Sequence, residues 1–186
     1  MRGPEHPRWE PWQHEYVHGA LYLFPSGDVA AIVNEMRQRY DPKSAAICDA
    51  HITLSEPLSA PLTKGQLEEL QISLKSIPPL ELVFGPLTQM GDHPGVVYDI
   101  SPIAPYLELR RAIHATSAFS GREVSREDTL PHMTVAEFIT INRTFEILNE
   151  FRDAPTGHFC FDEVTLATPD RLFHFSPELT IPLGGH

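Results

Sequence analysis

The sequence predicts an α+β fold: two pseudo-symmetric lobes, each a mostly antiparallel sheet with helices packed outside, around a central cleft. Three observations predict it. The order strand, helix, strand, helix, strand runs once over about residues 17–88 and starts again over about 95–168. Each run opens on Gly-x-x-Tyr, from Gly19 to Tyr22 and from Gly95 to Tyr98. The third element of each run carries one phrase, histidine–apolar–threonine–apolar: His51-Ile52-Thr53-Leu54 and, 81 residues later, His132-Met133-Thr134-Val135. Two copies of so long a unit do not make a solenoid. They fit a single bilobal domain over 17–183 whose halves are related by a pseudo-twofold axis. Equivalent strands then meet near that axis, and both phrases face one groove.

Residues 1–16 are rich in Pro, His and Trp and lack a period, so they read as an irregular N-terminal arm. The apolar run 19–24 reads as a strand, ended by Pro25-Ser26-Gly27. Val29, Ile32, Val33, Met36 and Tyr40 recur at three- and four-residue spacing, the stripe of a helix capped by Ser26 or Asp28 and stopped at Asp41-Pro42. Residues 46–55 read as the first phrase's strand. Thr63 with Gln66 forms a capping box, and Leu67, Leu70, Leu74 and Ile77 mark the helix it opens. Pro78-Pro79 ends that helix, and 80–87 is a strand.

In the second run 95–100 is a strand. Ile103, Tyr106, Leu107 and Ile113 lie on a helix running to about Phe119, and 120–129 is a polar loop. The second phrase's strand is 131–139. Asn142 is read as the cap of a helix with Phe145, Leu148 and Phe151 on one face. Residues 157–161 are a strand, and 164–168 with 172–183 form a closing hairpin.

Composition narrows the function. At 186 residues, 41% hydrophobic and 21% charged, the chain is globular in character and can bury a core. No apolar run approaches the roughly 18 residues of a membrane span, and no signal-peptide pattern opens the chain. Cys48 and Cys160, the two cysteines, sit in no paired metal or redox motif, so a reduced, cytoplasmic location is the default expectation. The net charge of −11 argues against a long nucleic-acid footprint and against duplex DNA as a partner. Arg110, Arg111, Arg122 and Arg126 form the basic cluster, diluted by Glu123, Glu127 and Asp128; a mixed solvated surface is favoured there over a phosphate patch.

The phrase itself is informative through its context. With 10 histidines in the chain, a bare His-x-Thr arises by chance about 0.6 times, and two copies flanked by apolar residues well under once in a hundred such chains. On a strand, side chains alternate between faces. His and Thr therefore share one face, and the apolar pair buries the other. That face offers a proton carrier and a hydroxyl, twice. Two imidazoles can take a proton from an attacking water and give one to a leaving oxygen. The hydroxyls can donate to phosphoryl oxygens as charge builds on them.

Two such phrases about 80 residues apart, one per half of a duplicated chain, resemble the two-histidine (2H) phosphoesterase superfamily. The nearest branch in pattern is the bacterial 2′-5′ RNA ligase and RNA 2′,3′-cyclic phosphodiesterase-like proteins. The second phrase, preceded by Pro131, is similar to that family's Pro-His-x-Thr, whereas the first is preceded by Asp49 and Ala50. The resemblance implies a V-shaped cleft between two antiparallel lobes and the active-site residues His51, Thr53, His132 and Thr134. It implies a substrate that is a nucleotide or RNA-terminal phosphodiester, a 2′,3′-cyclic phosphate above all, and no metal or other cofactor. A monomer without membrane attachment is the matching expectation.

Other residues stay open. Tyr22 and Tyr98 are equally readable as cleft wall or as ordinary strand aromatics. Asp49 could orient His51, although an acid facing water at a strand end is favoured. His6, His14, His18, His93, His114, His158 and His174 are read as packing or surface residues. Three functions compete: a metal-independent phosphodiesterase, reversible as 2′-5′ RNA ligation; a His-rich metal-dependent hydrolase; and a non-catalytic module of the same fold that binds nucleotides or RNA ends.

Overall fold

The computed structural model describes residues 9–25, 27–122, 124 and 130–184. Two four-stranded antiparallel sheets form its frame. The first runs β2 (Ile52–Thr53), β1 (Ala20–Leu23), β7 (Glu163–Pro169), β8 (Phe175–Pro182). The second runs β5 (His132–Ala136), β4 (Val96–Ser101), β3 (Leu80–Gln89), β6 (Gly157–Phe161). Helices α1 (Gly27–Tyr40), α2 (Pro42–Ile47), α3 (Lys64–Leu74), α4 (Ile103–His114) and α5 (Ile141–Glu150) complete the fold.

The sheets do not coincide with the sequence halves. Strand β3 closes the first half yet pairs with β4 and β6, and the terminal hairpin β7–β8 returns to β1. Each sheet nevertheless begins motif strand, opening strand, in the same order. The helices cross as well, since α1 packs on β5.

Strand β1 is buried on both faces, which is why 19–24 reads as a continuous apolar run. Leu21 and Leu23 join the main core with Val33, Leu70, Leu74, Tyr98 and Leu109, while Ala20 and Tyr22 face a smaller cluster with Trp9, Cys48, Phe173 and Phe175. Gly19 begins the strand at φ +74°, and a Cβ there would stand 2.2 Å from the Ala167 carbonyl oxygen, so the position requires glycine.

Four local expectations are corrected. Residues 46 and 47 belong to α2, because Pro42 at the first helical position and Asp41, whose carboxylate accepts from the Ser44 N–H, start a new helix where the sequence suggests only a stop. The cap of α5 is Thr140, accepting from the Arg143 N–H, and Asn142 lies inside the first turn. Phe145 is 51% exposed, because the buried face of α5 centres on Thr144 and Ile147. The described part of the arm is ordered structure: Pro11–Tyr16 is a 3-10 helix, and Trp9 is buried against Phe173 with its Nε1 donating to the Arg171 carbonyl. Burying a side chain of that size contributes roughly 2–3 kcal/mol to docking the segment. The Thr63–Gln66 box is formed as expected. The alternative helix cap Ser26, and Glu123, Arg126, Glu127 and Asp128 of the polar loop, lie outside the described residues.

Candidate active site

Both motif strands are edge strands, and β2 lies beside β5. Alternation then sorts their side chains. Ile52, Leu54, Met133 and Val135 are at most 1% exposed and fill the core. His51, Thr53, His132 and Thr134 are half-buried and line one cleft of about 360 Å³.

The two imidazoles are held alike. The Nδ1 of His51 lies 2.6 Å from the Asp49 carbonyl oxygen, and that of His132 lies 2.9 Å from the Leu130 carbonyl oxygen. A carbonyl only accepts, so each Nδ1 carries the hydrogen, and Nε2 remains as the nitrogen for proton transfer. Asp49 thus orients His51 through its backbone and not through its carboxylate.

The motif threonines are fixed through their own carbonyls, each by a helix from the opposite half. Arg37 of α1 donates from one terminal nitrogen to the Thr134 carbonyl at 2.5 Å, and from the other to the carbonyls of Ser44 and Cys48 at 2.9 and 2.8 Å. Tyr106 of α4 donates its hydroxyl to the Thr53 carbonyl at 2.9 Å. An edge strand has backbone groups that its sheet does not pair, and these side chains satisfy them. Asp41 does the same beyond the second motif, accepting from the N–H groups of Glu137 and Phe138 at 2.8 and 2.9 Å.

Arg37 is the main cleft residue that the sequence reading omits. It is 2% exposed, lines the cleft, and retains an Nε without a hydrogen-bond partner. Its signal was present: it stands four residues after Val33 and three before Tyr40, a charge inside the apolar stripe of α1. Its charge reaches His51, whose pKa is pushed down to about 4 by burial first, then by Arg37 and by His132, against the opposing carbonyl of Asp49. His51 is therefore neutral in the free cleft at neutral pH. Burial pushes the nearby Cys48 thiol up to about 12, which removes it as a nucleophile.

The two tyrosines part company. Tyr22 lines the cleft, its ring 5.1 Å from that of His51 and nearly perpendicular to it. Tyr98 does not: it is fully buried, edge-on to Phe84, with its hydroxyl on the Met36 sulfur. Register is the reason. Tyr22 sits opposite Thr53 and shares its face, whereas Tyr98 sits opposite Met133 and shares the core face.

The cleft has an aromatic end that the sequence reading also omits, formed by Trp12, Tyr16, Phe173 and Phe175. Among the described residues, no group of three or more His, Cys, Asp or Glu side chains gathers as a metal site. His114 is structural, with Nδ1 on the Arg110 carbonyl and Nε2 accepting from the Glu56 N–H. Two Nε2 atoms, two hydroxyls and a buried guanidinium in one cleft can take up a proton, deliver a proton and stabilise a negatively charged oxygen.

Comparison with known proteins converges on one group. Residues 25–172 match the model of the 2′-5′ RNA ligase superfamily. A Bacillus cytotoxicus protein named "Putative phosphoesterase" is 29% identical over 137 residues, 71% of this chain and 76% of that one. Escherichia coli LigT, in its crystal structure with 3′-AMP, superposes with a TM-score of 0.59 at 17% identity, covering 89% of this chain and 97% of that one. A crystal structure described as a phosphoesterase superposes with a TM-score of 0.55 at 18% identity, covering 90% and 99%. These likenesses show a shared two-lobed fold.

Proposed function

The chain belongs to the 2′-5′ RNA ligase superfamily, and from that premise we propose that it is a metal-independent phosphodiesterase that opens the 2′,3′-cyclic phosphate of a nucleotide or an RNA end. Membership supports an enzyme acting on phosphodiester bonds. The finer reading is carried by one observation: both motif histidines, each with Nδ1 tied to a carbonyl, line a single cleft together with both motif threonines. The LigT structure with 3′-AMP adds that a protein of this fold accommodates a nucleotide.

The reaction is an in-line displacement at phosphorus. A water attacks on one side while the 2′ or 3′ sugar oxygen leaves on the other. One imidazole Nε2 removes the water's proton, and the other protonates the departing oxygen. The developing charge falls on the non-bridging oxygens, which the Thr53 and Thr134 hydroxyls bind, and the Arg37 guanidinium, which lines the same cleft, adds positive charge. With a 5′-hydroxyl in place of water, the same displacement breaks the bond from phosphorus to the 3′ oxygen, which takes the proton, and leaves a 2′-5′ linkage; the reverse step restores the cyclic phosphate.

The test is a panel of nucleoside and oligonucleotide 2′,3′-cyclic phosphates incubated in excess EDTA. The expected result is ring opening to the phosphomonoester, undiminished by the chelator and lost in His51→Ala and His132→Ala. Activity that requires an added metal would assign the site to a metal-dependent hydrolase. Nucleotide binding without turnover across the panel would assign it to a non-catalytic module.

A further inference from the structure

The family match begins at residue 25, so the N-terminal segment that walls one end of the cleft lies outside it. We propose that this segment, with the turn and start of β8, seats the nucleobase of the substrate: Trp12 supplies the stacking face, supported by Tyr16 and Phe173. The inference rests on the reading of the cleft as a nucleotide phosphodiester site, and it names the part of the nucleotide that the chemistry of the phosphate does not address.

Four observations carry it. First, Trp12, Tyr16, Phe173 and Phe175 line the same cleft as His51 and His132, so a phosphate held by the histidines has an aromatic wall within the same cavity. Second, the two tryptophans of the segment are treated differently. Trp9 is 8% exposed and anchors the segment, whereas Trp12 remains 40% exposed on the cleft. Third, the exposed indole is fixed in place. Its Nε1 donates to the Glu10 carboxylate at 2.8 Å, and it meets Tyr16 and Phe173 at interplanar angles of 86° and 89°. Glu10 in turn pairs with Lys43 of α2 at 3.4 Å, tying the segment to the chain that leads into the first motif. A fixed aromatic face loses little entropy on binding, unlike a mobile one.

The fourth observation is charge. At −11 the chain repels a long polyanion. Affinity for one nucleotide must then come from contacts that do not depend on phosphate attraction, and base–aromatic stacking is such a contact, tolerant of base identity. The predicted ligand class is accordingly a nucleotide or a terminal residue recognised through its purine or pyrimidine face.

The experiment compares ligands that differ only by the base. Steady-state rates are measured on adenosine 2′,3′-cyclic phosphate and on 1-O-methylribose 2′,3′-cyclic phosphate, for the native protein, Trp12→Ala and Trp12→Phe. Calorimetric binding of 3′-AMP and of ribose 3-phosphate runs in parallel and needs no turnover. The native protein should favour the base-bearing ligand by roughly tenfold, expressed in KM and Kd. Trp12→Ala should bring that ratio down to about twofold or less, and Trp12→Phe should retain most of it. Equal affinity of the native protein for the two ligands overturns the proposal, as does an undiminished ratio in a folded Trp12→Ala. If no cyclic phosphate is hydrolysed while the binding ratio holds, the base seat stands and the proposed activity falls.

Discussion

The two motifs share their letters and their internal geometry but not their surroundings. In both, a carbonyl two residues upstream holds Nδ1, and a helix from the other half holds the threonine carbonyl. Yet His51 emerges from a two-residue strand between the rings of Tyr22 and Phe24, with centroids 5.1 and 6.1 Å away. His132 opens a five-residue strand, opposite Asp99, whose carboxylate accepts from Thr88. One ring lies between aromatics and near a buried guanidinium, and the other belongs to a residue paired in register with an acid. The two histidines are held alike by their own strands, and their neighbours differ, an asymmetry that the proposed reaction, with one proton acceptor and one donor, would use.

The sharpest way to break this comparison is to remove each histidine. His51→Ala and His132→Ala should each lower turnover on a cyclic phosphate by about a thousandfold. The double variant should fall little further, because the pair acts as a unit. Additive losses would mean two independent sites.

The cross-ties come next. Arg37→Met leaves three carbonyls without their donor and should cost about 3 kcal/mol or more, read as a fall in the denaturant midpoint. Tyr106→Phe removes one hydrogen bond to the Thr53 carbonyl and should cost about 1 kcal/mol, with turnover reduced more than stability. A Tyr106→Phe protein with native turnover would show that the first motif needs no such tie.

The lowered pKa of His51 gives a pH signature. His51 is near 4 in the folded protein against about 6.5 unfolded, so below pH 6.5 the unfolded chain binds a proton that the folded chain refuses. Its contribution to stability is therefore complete above about pH 6.5 and lost as pH falls toward 4. His51→Gln should flatten that part of the stability curve, measured by denaturant unfolding across pH 4–7. The tyrosines give the smallest contrast. Tyr22→Leu should raise KM with modest loss of stability, whereas Tyr98→Leu should leave KM unchanged and destabilise by roughly 2 kcal/mol.

Much of this was legible in the chain. Element order, the Thr63–Gln66 cap and the closing hairpin follow from periodicity and capping chemistry, which are local. Alternation alone put His and Thr on one face, and Ile52, Leu54, Met133 and Val135 in the core. What escaped depends on register and on distant pairing. The placement of β3 in the second sheet is a long-range choice that no local pattern encodes. The face of Tyr98 is set by its pairing opposite Met133, a register that its own segment does not encode. The role of Arg37 is not local, because its three acceptors come from segments 7, 11 and 97 residues away. The segment around Trp12 lacks a period because its order comes from docking on Phe173 and Phe175, not from its own repeat.

In the proposed reaction both motif rings face one bound anion. Histidine ring resonances followed by NMR during titration with phosphate test it most directly. The His51 and His132 resonances should shift together with one dissociation constant, and the His51 midpoint, about 4 in the free protein, should rise as the anion offsets the field of Arg37. A response from only one ring, or from neither, would contradict it.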